Sequence, residues 1–292
     1  KRDANHAAWV TIQIGCDNSC AFCIVPSVRG KEISRPYNEL ISEVEQLAIA
    51  GVTEVTLLGQ NVNSYGRDLT LQLRGTEVSA EASELVGEAW VSGPHTARPL
   101  FSDLLCSVAE VNGIRRVRYT SPHPKDLRPE TIAAMAQVPE VCEHLHLPLQ
   151  SGSDDVLSAM HRGYTADRYI EKVDAARRQI PDLALSTDII VGFPGETDLD
   201  FERTLEVAAE VKFDNAYTFV FSPRPGTEAA ELVEYSVPAK ISAERMERLR
   251  RVIERTSLKG NESRIGHAEE VIVEGQSKRD SEVLTGRPRH NR

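Results

Sequence analysis

The chain has 292 residues, 40% of them apolar, with 44 acidic against 34 basic side chains and a formal net charge of −10. That length and composition leave room for one large domain and a small one around a substantial core, and they exclude a disordered chain. No stretch approaches the eighteen or so apolar residues of a membrane span, and the opening KRDANHAAWV lacks an apolar signal region, so a cytoplasmic protein without membrane association is expected.

Trp9 to Ile14 alternates as a strand and leads into GCDNSCAFCIVPSVRGKEISRP, residues 15–36. Cys16, Cys20 and Cys23 stand there at C-x3-C-x2-C spacing, three of the five cysteines within eight positions. Three thiolates from one loop suit three irons of a cubane cluster and leave the fourth iron an open coordination position. A structural zinc site is closed by four ligands, and neither His6 nor Cys106 stands at a spacing that would supply the fourth. Cys106 and Cys142 sit singly among apolar neighbours and read as core residues.

Leu40, Ile41, Val44, Leu47 and Ala48 share one face of a helix over Tyr37 to Ala50, and Val55 to Leu58 is a short strand ending in Gly59-Gln60-Asn61. Residues 68–98, rich in Gly, Ser, Thr and Glu, carry Trp90 without clear periodicity and read as an irregular surface insertion. Leu100, Leu104, Val108 and Val111 mark a helix, Val117 to Thr120 a strand, Pro129 to Ala136 a helix and His144 to Leu149 a strand. Helices begin at Ser153 and Thr165, and Leu183 to Val191 is the fifth strand. Thr197 and Asp200 have capping-box spacing before a helix with Phe201, Leu205, Ala208 and Val211, and Ala216 to Phe221 is the sixth strand. Strands alternating with helices at this length imply an α/β fold with a parallel sheet, and six repeats are too few for the usual eight-stranded barrel.

In such folds the chemistry gathers beyond the C-terminal ends of the strands. On the fifth strand, period-two alternation puts Ser186 and Asp188 on one face, and a carboxylate in mid-strand is costly unless it faces a polar cavity, which makes Asp188 a catalytic candidate. His146 and Gln150, around Pro148, follow the same logic, with a satisfied core histidine as the alternative for His146. Arg118 reads either as a partner of a carboxylate in the site or as a structural ion pair, and Gly59 and Gly192 either as points of close backbone approach or as plain turns.

Past Pro238, Ile241, Met246, Leu249, Ile253 and Thr256 give a helix that closes the core, with Ser242 as its cap. Residues 240–264 hold eight Lys/Arg against four Glu, and residues 276–292 five against two acids. A basic C-terminal surface grips phosphates even when the rest of the chain is acidic, and Lys278, Arg279, Arg287 and Arg289 are the expected RNA contacts.

The cysteine loop resembles the signature of radical S-adenosylmethionine (SAM) enzymes. Phe22 before the third cysteine, the run 24–30 and Ser34-Arg35-Pro36 are similar to the methylthiotransferases within that superfamily. LLGQNVNSYG, SPHP, HLPLQSGSD, DIIVGFPGET and SPRPGT extend the match in fixed order, toward the branch acting on isopentenyladenosine in tRNA. The resemblance implies an open (β/α)6 partial barrel over residues 1–236, a helix over 237–264 packing on it, and over 265–292 the start of a TRAM domain, a small RNA-binding β-barrel. It implies a 4Fe-4S cluster on Cys16, Cys20 and Cys23, with SAM bound by Phe22, Gln60, Asn61, Gln150, Ser151 and Gly192. It further implies a second cluster on an amino-terminal domain outside this chain, a tRNA anticodon loop as substrate, an electron donor such as flavodoxin or ferredoxin, and a monomer.

Three other readings stay open: a methylthiotransferase acting on an aspartate of a ribosomal protein, one acting on threonylcarbamoyladenosine in tRNA, and a non-catalytic, metal-stabilised RNA-binding module. Gly59-Gln60-Asn61-Val62-Asn63 and residues 286–292, GRPRHNR, resemble the tRNA enzymes rather than the ribosomal one.

Overall fold

The computed structural model describes residues 6–75 and 80–291, and the chain divides into two compact units. The first holds residues up to 17 and 25–143, the second residues 18–24 and 144 onward.

In the first unit the elements are β1 (Ala7–Thr11), β2 (Gln13–Ile14), α1 (Val25–Arg29), β3 (Ile33–Ser34), α2 (Tyr37–Ile49), β4 (Glu54–Leu58), α3 (Arg67–Gln72), α4 (Ala80–Val86), α5 (Glu88–Val91), α6 (Phe101–Ala109), β5 (Arg116–Tyr119) and α7 (Pro129–Gln137). Strands β1, β4 and β5 form a parallel sheet in that order, with Ala7 opposite Glu54 and Glu54 opposite Arg116. Val10, Val55, Leu57 and Val117 are completely buried, and Leu40, Val44 and Leu47 of α2 join the same unit's core. The strand expected over Trp9 to Ile14 breaks in two, because β2 turns away to pair antiparallel with β3.

Two expectations change here. Residues 68–98 are not irregular: α3, α4 and α5 occupy most of the stretch, α4 packs on α2, and Trp90 is 1% exposed with its indole N–H donating to the Thr96 carbonyl at 2.9 Å. Short helices broken at Gly75 and Gly87 leave too few turns for periodicity to register, and residues 76–79 of that stretch lie outside the described residues. Cys142 is buried as expected, whereas Cys106 is only half-buried on α6.

In the second unit the elements are β6 (His144–His146), α8 (Asp154–Ala159), α9 (Ala166–Gln179), β7 (Ala184–Val191), α10 (Asp198–Val211), β8 (Asn215–Val220), α11 (Ala239–Glu262), β9 (Val271–Gln276) and β10 (Leu284–Pro288). Strands β6, β7 and β8 form a second parallel sheet, with Ser186 opposite both His146 and Asn215. Strand β6 is shorter than expected because Pro148 has no N–H for the ladder; pairing resumes only as an isolated bridge between Gln150 and Ile189.

Each helix after β6 and β7 starts on a side-chain cap. Ser153 accepts from Val156 N, Thr165 from Arg168 N, and Thr197 with Asp200 forms the reciprocal box, the kind of cap whose removal costs about 1 kcal/mol. Helix α11 starts earlier than expected, after Pro238, so Ser242 lies inside its first turn and its N–H bonds to the Pro238 carbonyl. Strands β9 and β10 form an antiparallel pair, and no helix among the described residues is long and apolar enough to cross a membrane.

Candidate active site

Gly15 is required where the cysteine loop leaves β2. Its φ is +72°, and a Cβ there would lie 2.0 Å from the Lys31 carbonyl oxygen. Cys16 N–H donates to the Gly30 carbonyl at 3.2 Å, and Glu32 N–H to Asp17 Oδ1 at 3.0 Å, which fixes the start of the loop in the first unit. Glu32 is itself buried. Desolvation pushes its carboxyl up to about 7, against a Ser64 hydroxyl bond that favours the ionised form, while Asp17, Asp68 and Asp126 add to the rise.

Cys20 and Cys23 lie on the 18–24 segment in the second unit, and both are half-buried. Between them Ala21 is 4% exposed and works as an apolar pin against Val156, Met160, Phe193 and Ala229, with Phe22, Ile190 and Phe221 packed around it. Its N–H donates to the Met160 carbonyl at 3.1 Å, and its carbonyl accepts from Ala229 N at 2.9 Å. With Ala21 buried, its cysteine neighbours stay near the surface. Arg162, buried, donates Nη1 to Cys20 Sγ at 3.3 Å.

Phe22 also lines a cavity of about 350 Å³ with Gln150, Asp188, Ile190, Phe219, Phe221 and Arg224. Gln150 is 7% exposed, sits at φ +68°, and its Oε1 has no hydrogen-bond partner. A buried amide oxygen left unpaired costs about 1–3 kcal/mol unless a ligand completes it. Asp188 Oδ2 stands 3.4 Å from His146 Nε2, and His146 Nδ1 lies 3.0 Å from Ser186 Oγ. The histidine expected either at the cavity or in the core is therefore the partner of the carboxylate.

Tyr217 and Phe219 on β8 and Phe221 just beyond it alternate along the chain, and the first two are each 52% exposed. Tyr217 is paired in register with Asp188 and Phe219 with Ile190, and the Tyr217 ring meets the His146 ring edge-on at 5.9 Å. The aromatic period of two was visible in the sequence but was read only as a strand. Arg162 had no sequence signal at all.

The other expected residues, Gln60 apart, are engaged inside the protein. In the first unit Asn61, 1% exposed, donates to Asp126 Oδ2 at 2.7 Å and accepts from His123 N at 3.2 Å, and its carbonyl takes the Gln13 amide; Gln60 is exposed. Arg118 pairs with Glu54 at 3.1 Å, the structural alternative. In the second unit Ser151, fully buried, lies 3.2 Å from Thr204 Oγ1. Gly192 has φ +73°, and a Cβ there would meet Ser242 Oγ at 2.4 Å, so its close approach is to α11; its N–H donates to Glu196 Oε2 at 2.7 Å.

The basic C-terminal stretch is more neutral than its composition suggests. Arg245 pairs with Glu196 and Asp198, Arg248 with Glu202, Arg250 and Arg251 with Glu247, and Arg264 with Asp182 and Glu269. Of the four expected RNA contacts, Arg287 is paired with Glu274 and Arg289 is half-buried, while Lys278 and Arg279 are exposed on the turn between β9 and β10.

Among the described residues no three or more His, Cys, Asp or Glu side chains converge to hold one metal ion. Three cysteines on one loop, none of them in a disulfide, with a buried guanidinium at Cys20 Sγ, fit an anionic iron–sulfur cluster.

The model of the Radical SAM superfamily matches residues 10–208, and the chain belongs to that superfamily. Two solved structures share its fold: the radical SAM methyltransferase TsrM from Kitasatospora setae (TM-score 0.55, 15% identity, 77% of this chain and 38% of that one) and coproporphyrinogen III oxidase HemN from Escherichia coli (0.54, 13%, 87% and 53%). The α/β fold of six parallel strand–helix repeats expected from the sequence is thus the radical SAM fold.

Much nearer in sequence are proteins named tRNA-2-methylthio-N(6)-dimethylallyladenosine synthase. That of Mycobacterium sp. (strain JLS) is 45% identical across 100% of this chain and 54% of the relative, and that of Moorella thermoacetica 46% identical across 100% and 60%. The chain spans a little over half the length of these curated relatives.

Proposed function

We propose that this chain is the SAM-cleaving part of a methylthiotransferase that modifies carbon 2 of isopentenyladenosine beside the anticodon of tRNA. One observation carries the reading: Phe22, between Cys20 and Cys23, also lines the cavity that holds Asp188 and the unpaired amide of Gln150. A metal loop pinned to the wall of a polar cavity brings a cofactor and a substrate together. The 44–46% identity of whole-chain relatives named for that modification supports the choice of substrate.

In this reading the thiolates of Cys16, Cys20 and Cys23 hold the 4Fe-4S cluster. When bound, cluster and SAM together supply a carbon-centred radical that takes a hydrogen atom from the substrate. The chain orients the reactants. Gln150 Oε1, unpaired in the cavity, would accept a hydrogen bond from SAM, Phe22 would line the cofactor's place, and Asp188 lines the site with His146 holding its carboxylate in place. Gln60 offers an exposed amide, whereas Asn61, Ser151 and Gly192, whose own groups are engaged in the protein, contribute by shaping the backbone around SAM.

Exposed Tyr217 and Phe219 give an unstacked base of an anticodon loop a surface to stack on. Residues 265–292 act as the start of a TRAM domain, with Lys278 and Arg279 as the main phosphate contacts and Arg287 and Arg289 as lesser ones. The second cluster, an electron donor such as flavodoxin or ferredoxin, a monomeric state and a cytoplasmic location complete the reading.

Nucleoside analysis of tRNA from cells lacking the full-length protein tests it. Loss of the methylthio group with the isopentenyl group retained is expected; persistence of the methylthiolated nucleoside would overturn the assignment.

A further inference from the structure

Arg162 lies three residues beyond the end of α8, delivered by a turn that is left-handed at His161 (φ 56°) and held by the His161 ring, whose Nδ1 meets the Ser19 carbonyl at 3.1 Å. A residue other than glycine in that conformation is sustained only where its surroundings require it. Here the turn carries a guanidinium inward. Arg162 is 5% exposed.

Its partners are specific. Nη1 donates to Cys20 Sγ at 3.3 Å, Nε donates to Tyr164 Oη at 3.2 Å, and the guanidinium carbon lies 5.5 Å from the centre of the Tyr164 ring. The Tyr164 hydroxyl shares its proton between the carbonyls of Pro148 and Leu149, at 3.1 and 2.9 Å. These residues directly precede Gln150, so one chain of hydrogen bonds runs from a cysteine sulfur to the backbone carrying the cavity's unpaired amide.

Among the described residues, then, a buried permanent cation has a phenol and a thiol as its partners, with no carboxylate. Burying a charge is costly unless an opposite charge completes the site. The anion within reach is Cys20 sulfur once it is a thiolate ligand.

We infer that Arg162 is a positioning residue for the iron–sulfur cluster: it fixes Cys20 Sγ for coordination and, as a cationic donor to a coordinated sulfur, sets the cluster's reduction potential. The inference rests on the reading of Cys16, Cys20 and Cys23 as cluster ligands. Hydrogen bonds and positive charge at the sulfurs favour the state carrying the extra electron, so Arg162 raises the potential and makes the cluster easier to reduce. Tyr164 is the anchor that aims it.

The test is an EPR-monitored reductive titration of the chain reconstituted anaerobically, with iron and sulfide measured per chain, for the wild type, Arg162→Gln, Arg162→Lys and Tyr164→Phe. Arg162→Gln should keep its cluster but be reduced with an equilibrium constant at least about ten-fold smaller, a midpoint about 59 mV more negative for one electron. Arg162→Lys should recover part of that shift by restoring the charge. A fully loaded Arg162→Gln with an unchanged midpoint overturns the inference.

Should Arg162→Gln take up no cluster, Tyr164→Phe decides, since it keeps the charge and removes only the anchoring hydroxyl: a more negative midpoint supports the role and an unchanged one overturns it. A wild-type chain without iron and sulfide would instead overturn the cluster reading beneath it.

Discussion

His146 Nε2 stands 3.4 Å from Asp188 Oδ2 across strands β6 and β7, and its other ring nitrogen lies 3.0 Å from Ser186 Oγ. The imidazole bridges the two polar side chains of one strand face and holds the carboxylate toward the cavity. Asp188→Asn should leave iron and sulfide content unchanged and lower 5′-deoxyadenosine formation about ten-fold or more. His146→Gln should give a smaller loss of the same kind. Wild-type rates in Asp188→Asn would remove the carboxylate from the chemistry.

Phe219 lines the cavity from β8 and Tyr217, two residues earlier on the strand, meets the His146 ring; both are half-exposed. Stacking of a base on an aromatic ring contributes about 1–3 kcal/mol, so Phe219→Ala or Tyr217→Ala should weaken binding of an anticodon stem-loop about five-fold or more. Because both rings are already about half exposed, thermal stability should change less than for a core aromatic. Fluorescence anisotropy of a labelled stem-loop measures the first and a melting curve the second.

Neutralising Lys278 and Arg279 together should lower the slope of log affinity for tRNA against log salt by about 1.5, the contribution of two phosphate contacts. Arg287→Gln should change it far less, since that guanidinium already faces Glu274. A fall of about 0.8 in Arg287→Gln, the contribution of one phosphate contact, would show that the ion pair opens on binding.

Glu32 gives a pH-dependent term. Its folded carboxyl titrates near 7, against an ordinary value of 4.5, chiefly because it is buried. Between those values the folded state holds a proton that the unfolded chain has released, so the contribution of Glu32 to stability is greatest below about 4.5 and is lost as pH rises through 7. Glu32→Gln should flatten that fall in denaturant midpoints measured across the interval. An unchanged pH profile would show that the carboxyl titrates in the folded protein as it does in the unfolded chain.

The strand–helix repeat was legible because each element carries its own local signal: the apolar face of α2, the Thr197–Asp200 box and the alternation around Asp188. Short helices α3 to α5 were missed because four to seven residues hold too little periodicity, and Trp90 gave no hint of which core it would enter. At the site, the cysteine spacing and Asp188 were legible as chemistry out of place in an apolar context. The roles of Arg162, His146 and the β8 aromatics were not, since they depend on neighbours distant in sequence: Arg162 meets a sulfur 142 positions away. Charge counting misled for the same reason, as the acids that neutralise α11 come partly from α10 and its preceding turn.

Gln150 reaches the cavity from a left-handed backbone, φ +68°, that glycine would occupy without strain. Gln150→Gly should therefore raise the unfolding midpoint, by relief of about 1 kcal/mol, while lowering affinity for SAM through loss of the amide. The two measurements should move in opposite directions. Variants of this chain chosen by heat resistance alone would drift toward glycine at this position, and the most robust member of such a library would be among the least able to hold its cofactor.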